Sequence, residues 1–289
     1  MKKGGWIWIW ILVCAYSNSW GQKKWDGEGN DSLWNNAKNW YPDGLPLSTD
    51  SVVIDNSIFQ KDIFIWVTDT TSIVVHALTI QPSNALRITL EIPTNNSQNP
   101  ALSVLSKGNS ISIHPNGTLI NQSGASSGNP IVLSGKFWIG NEGKYIHRTL
   151  RGNASLIAAL TAGPSNNKGI FEFDVPGSAG YTISISGRQF GTLVLNSTRT
   201  LKKTYNGSGV GNLTLWGDFN IGDSATFNST LNGNILVNGN LEVSGKCNLN
   251  PSQMDTTQGR QLQMLGDTAT IHIKGTLTLG DNFRNMVIE

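Results

Sequence analysis

Cysteine is nearly absent, with 2 in 289 residues, at Cys14 and Cys247. Two thiols cannot staple a chain of this length, so a disulfide framework is excluded. Charged residues make up only 14%, which argues against a coiled coil. The 32 glycines follow no three-residue period, so collagen is excluded too. The four histidines, His76, His114, His147 and His272, are scattered without metal-ligand spacing. No phosphate loop occurs. The Gly/Ser-rich Ser123–Gly128 reads as a turn, because no strand-turn-helix elbow frames it. Beyond the N-terminus no apolar run reaches the ~18 residues of a membrane span, so no transmembrane segment is expected.

What is present begins with an address. Lys2-Lys3 precede an apolar stretch from Trp6 to Val13, and Ser19 and Gly21 put small residues before Gln22. Residues 1–21 are therefore expected to be a secretory leader, which implies a secreted or cell-surface protein. Cys14 lacks the small residue before it that a lipoprotein signal wants. Losing the leader removes Lys2 and Lys3 and takes Lys+Arg from 21 to 19, equal to the 19 Asp+Glu. A neutral chain offers no field to attract nucleic acid or an anionic membrane. Cys247 is then alone and reads as an inert buried thiol.

The mature chain repeats itself. Ile131–Ile139, Leu213–Ile221, Ile235–Val243 and Ile271–Leu279 share the pattern apolar-x-apolar-x-Gly-x-apolar-x-apolar. Each apolar-x-apolar piece has period two, the mark of a short strand with one face inward. Leu213, Phe219 and Phe227 are spaced by 6 and 8, as are Ile235, Leu241 and Leu249. The fold class expected is all-β: a single-stranded right-handed parallel β-helix with 22 residues per coil. Leu213 would stack on Ile235, Phe219 on Leu241, Phe227 on Leu249, and Asn228 on Asn250 as an amide ladder. Leu193 to Leu213 reads as one further coil. The polar stretches His147–Gly169 and Pro251–Gln261 break the period and read as loops leaving the solenoid. An antiparallel sandwich is the alternative fold.

Residues 22–60 read as an N-terminal cap and 61–289 as the solenoid. The first coil of a solenoid exposes its core, and Trp25, Trp34 and Trp40 are large enough to cover it. The stretch Trp25-Asp-Gly27, Trp34, Asn39-Trp40, Pro46 and Asp50-x-Val52-x-Ile54 resembles the N-terminal region of large exported β-helix surface proteins of Bacteroidetes-type bacteria. Gly143-Lys-Tyr145-Ile-His147 and the repeat around Gly239 share the likeness. It implies a structural repeat and no reaction. Such proteins often end in a C-terminal sorting domain. This chain stops at Met286–Glu289 without one, so a truncated solenoid with an uncapped last coil is expected.

Candidate chemistry is thin. Phe171-Glu172-Phe173-Asp174 alternates, which sets Glu172 and Asp174 on one strand face, their Cα atoms about 6.5–7 Å apart. Such a pair suits calcium, or acid and base work on a sugar, with Arg188 and His147-Arg148 on the same side of the solenoid. The alternative is a solvated face. Asp26, Glu28, Asn30 and Asp31 form an oxygen-rich loop without EF-hand spacing. Trp138 and Trp216 alternate outward and read as sugar-stacking platforms or as side chains packed beneath a loop. The function expected is a non-enzymatic, adhesin-like scaffold contacting an extracellular glycan or surface component, with no cofactor except possible calcium. The alternatives are a polysaccharide lyase or glycoside hydrolase of the β-helix class, and a fragment without independent function.

Overall fold

The structure is a computed structural model describing residues 21–288 other than 60, 69–71, 84, 166–167, 199–200, 252–260 and 284. The leader, 1–21, lies outside the described residues apart from residue 21, as does most of the Pro251–Gln261 stretch. No helix among the described residues is long and apolar enough to cross a membrane.

The chain winds as a parallel β-solenoid of about nine turns with three faces. The first face is one continuous sheet of nine strands, running from Ile63–Trp66 to Ile271–Ile273. The second face begins with three strands, Ile73–Val75, Leu102–Val104 and Ile131–Leu133. The helix Ala154–Ala159 follows, then five strands from Tyr181–Thr182 to Thr276–Leu279. The third face runs from Gln22–Trp25 to Leu160–Thr161. It breaks, and resumes at Arg188–Phe190 as a second sheet ending at Asn285–Ile288. Among the described residues every strand pairing is parallel except that of Gln22–Trp25 with Trp40–Tyr41. Inward residues stack in columns, and Leu193, Phe219 and Leu241 are Cα partners at no more than 1% exposure. No coil buries its own inner face, so stability is shared between neighbours.

Two expected columns are present: Leu213 lies on Ile235 and Phe219 on Leu241. Others differ. Phe227 pairs with Cys247 rather than Leu249, and the amide ladder joins Asn206, Asn228 and Asn248 rather than Asn250. Asn248 Nδ2 donates to Asn228 Oδ1 at 2.8 Å. Leu213 is the partner of Arg188, and Leu193 that of Phe219, so the 20-residue step is not a coil. First-face steps vary: 26 from Tyr145 to Phe171, 22 to Leu193, 26 to Phe219, 22 to Leu241 and 30 to Ile271. The loops at the corners absorb the difference, because strand register does not fix their length.

The shared pattern is a corner rule. Gly217 and Gly239 turn the third face into the first, Gly135 the second into the third, and Gly275 the first into the second. The fourth copy is accordingly shifted by one strand. Ile271–Ile273 lies on Leu241–Val243, while Ile235–Val237 carries Gln261–Met264. At the corner, backbones of successive coils nearly touch. Gly239 N donates to Gly217 O at 3.0 Å, and a Cβ on Gly239 would stand 2.6 Å from Gly217 C and 2.7 Å from its O. Gly239→Ala is therefore expected to destabilise by about 1–3 kcal/mol, the scale of overpacking. Chemical denaturation checks it against Glu242→Ala at an exposed position of the same coil.

The stretch after His147 is not a loop leaving the solenoid but a coil with one helical side. Ala154–Ala159, rich in good helix formers, takes the place of a second-face strand and buries Leu156 and Ile157. Asn153 ties this coil to the next: its Nδ2 donates to Tyr181 Oη and Thr182 O, and its Oδ1 accepts from Ser184 N.

The three cap tryptophans are buried and pack edge to face, Trp40 lying 5.0 Å from Trp25 and 4.6 Å from Trp34. At the other end the inward positions are open. Ile273, Leu279 and Met286 are 44%, 39% and 44% exposed, although their partners Val243, Leu249 and Leu262 are closed.

Candidate functional site

Strand alternation sends Glu172 and Asp174 outward from the first face while Phe171 and Phe173 turn into the core. Each carboxylate already has a cation. Glu172 pairs with Lys144 and accepts from Asn196 Nδ2 at 3.1 Å. Asp174 accepts from Arg148 Nε at 2.8 Å, Thr198 N at 2.9 Å and Thr198 Oγ1 at 2.6 Å. Both acids are nearly inaccessible, at 4% and 1% exposure. Burial by itself raises the Asp174 carboxyl. The Thr198 bonds and the Arg148 guanidinium outweigh it, and the net is a value below the ordinary carboxylate range. The cations come from the preceding coil, Lys144–Arg148, so the two pairs stitch neighbouring coils together.

His147 does not join them. It shares the parity of Tyr145, so its ring enters the core, fully buried. There it sits in a one-way chain of donors, the tautomer following from its partners. Asn121 Nδ2 donates to Tyr145 Oη at 3.3 Å, and Tyr145 Oη donates to His147 Nδ1 at 3.1 Å. His147 Nε2 donates to Tyr181 Oη at 2.8 Å, which donates to Arg151 O at 2.6 Å. Burial pulls the imidazole down to about 4 and pushes Tyr181 up to about 12. The ring is neutral and enclosed, which suits packing of the polar core.

Arg188 is also placed apart, on the third face, where its Nε is buried without a partner. Thus the four residues divide among an outer surface, the core and another face. The oxygen-rich cap loop is a hydrogen-bonded turn. Asp31 accepts from Leu33 N, Asn36 Nδ2 and Asn39 Nδ2, and Asp26 accepts from Glu28 N. Among the described residues no group of three or more His, Cys, Asp or Glu is arranged to hold a metal ion. Burial pushes the Cys247 thiol up to about 12, which leaves it protonated and unreactive.

The tryptophans read as platforms are only half open. Trp138 packs edge-on to His114 at 4.9 Å and folds over Gly140. Trp216 donates from Nε1 to Gln189 Oε1 at 3.1 Å. More open than either tryptophan is an aromatic pair on another strand. Phe64 and Trp66 project outward from the first strand of the first face, 37% and 43% exposed, with ring centroids 4.9 Å apart. Their signal was the parity of Ile63 and Ile65. In a run of four apolar residues, two of them must face outward. No protein-family model, curated protein or solved structure matches this chain.

Proposed function

We propose that this protein is a non-enzymatic extracellular scaffold, delivered by the leader 1–21, that contacts glycans through aromatic side chains on its outer faces. The observation that carries the reading is the outward Phe64–Trp66 pair, set on a strand whose alternate residues Ile63 and Ile65 are locked in the core. A tilted pair of rings on a rigid sheet offers flat apolar surface at little entropic cost, which is what a sugar ring stacks on. Two further features support it. The outward acids are neutralised by Lys144 and Arg148 rather than gathered around a vacant space. The cap motifs also resemble exported bacterial β-helix surface proteins, in which the repeat is structural.

The test is a glycan array probed with the full mature chain and with Trp66→Ala. Binding of a defined glycan set, weakened about tenfold or more by Trp66→Ala with unchanged circular dichroism, is expected from loss of one stacking partner. Cleavage of an array polysaccharide, abolished by Glu172→Gln, would replace this reading with the enzymatic one.

A further inference from the structure

We propose that the cleft beneath the helix Ala154–Ala159 binds one oxyanion of an acidic glycan, a uronate carboxylate or a sulfate ester, on the guanidinium of Arg188. The inference rests on the glycan-contact reading and adds the class of sugar. It starts from the seam in the third face, where the ladder stops at Leu160–Thr161 and resumes at Arg188–Phe190. Arg188 shares the parity of Phe190 and is the Cα partner of Leu213. It therefore heads a column that continues through Leu213, Ile235 and Leu262, all at most 2% exposed. A cation in a core column is costly unless something pairs with it.

Other partly buried cations have such partners. Lys144 has Glu172, Arg148 has Asp174, and Arg151 donates to Ser126 O. Among the described residues Arg188 has no ion pair, and its Nε is buried with no acceptor. The cleft it lines is about 310 Å³, with Ile157, Leu160, Thr161 and Gln189 also on its walls. No carboxylate lines it. Gln189 spends its carbonyl on the Trp216 indole, which leaves its amide N–H groups as its remaining donors. The site thus presents donors and no acid. A guanidinium end, with its two Nη groups, suits two parallel bonds to an oxyanion. The Trp216 ring is not part of the lining but is hydrogen-bonded to Gln189, which is, and offers a surface for the sugar that carries the charge.

Titration calorimetry on the full mature chain tests this with three probes: tri-galacturonate, its methyl ester, and a κ-carrageenan tetrasaccharide, which carries sulfate but no uronate. Binding of the uronate or of the sulfate names the source. The ester is expected to bind at least tenfold more weakly than the acid, and added salt is expected to weaken the interaction. Arg188→Met keeps the apolar stem and is expected to cost at least tenfold in affinity, with a denaturation midpoint unchanged or raised. Equal binding of acid and ester, full affinity in Arg188→Met, or no binding of either anion overturns the site. If acidic probes fail while array glycans still depend on Trp66, the site falls and the glycan-contact reading stands. If no glycan binds at all, both fall.

Discussion

Trp40→Ala is expected to lower the unfolding free energy by about 3–5 kcal/mol, the range for emptying a fully buried large aromatic position. Trp40 is wholly buried, and its loss would remove the ring that both Trp25 and Trp34 pack against. It would also orphan the Trp34 carbonyl, which accepts from Trp40 Nε1 at 2.9 Å. The damage should be local at first. In a solenoid each coil is stabilised by its neighbours, so an unplugged end frays inward. Hydrogen exchange should show early loss of protection across Gln22–Ile54, with the coils around Phe219 protected until global unfolding. Tyr41→Ala, at the adjacent 69% exposed residue, serves as control and should stay within about 0.5 kcal/mol of wild type. A loss below 1 kcal/mol for Trp40→Ala, or uniform loss of protection, would show that the tryptophans are not the plug.

The second large effect is a dependence of stability on pH set by one buried ring. His147 titrates near 6.5 when unfolded and at about 4 in the folded chain, where burial disfavours the imidazolium. Between those values the unfolded chain holds a proton that the folded chain refuses. Unfolding then takes up a proton, so stability is full above pH 6.5 and falls as the pH drops toward 4. The size is roughly 3 kcal/mol. Asp174, with its depressed carboxyl, acts in the same direction but lower. Its contribution is present above the ordinary carboxylate value of about 3.9 and is lost as pH falls through the folded one. Denaturant midpoints across the window should therefore decline in wild type. They should be nearly flat in His147→Gln, although that variant is weaker at neutral pH for want of the bonds to Tyr145 and Tyr181. A wild-type midpoint that does not move between the two values would mean that the ring is reached by water.

How much of this was legible varies residue by residue. The apolar-x-apolar pieces are visible because strand parity has a fixed period and the core accepts only one face. The glycines are visible because a corner between stacked backbones has no space for Cβ. The coil length is less legible. Corner loops differ in length without any change in the inward pattern, so a constant coil of 22 pairs Phe227 with Leu249 and Asn228 with Asn250, whereas the partners in the structure are Cys247 and Asn248. His147 carries its answer in its parity with Tyr145, although a titratable side chain is more often at the surface. Phe64 and Trp66 were hidden by the opposite bias, since an unbroken apolar run conceals which members face outward.

By itself the sequence decided that this chain must be a stack of short strands with glycine corners and a tryptophan-covered start, because period two, corner sterics and core coverage are local demands. Only the tertiary structure decided which coil lies on which, and hence that Lys144 and Arg148 neutralise Glu172 and Asp174 while Arg188 is left facing a seam. Those relations depend on register between residues roughly a coil apart, and register is a sum of loop lengths that no single stretch of sequence contains.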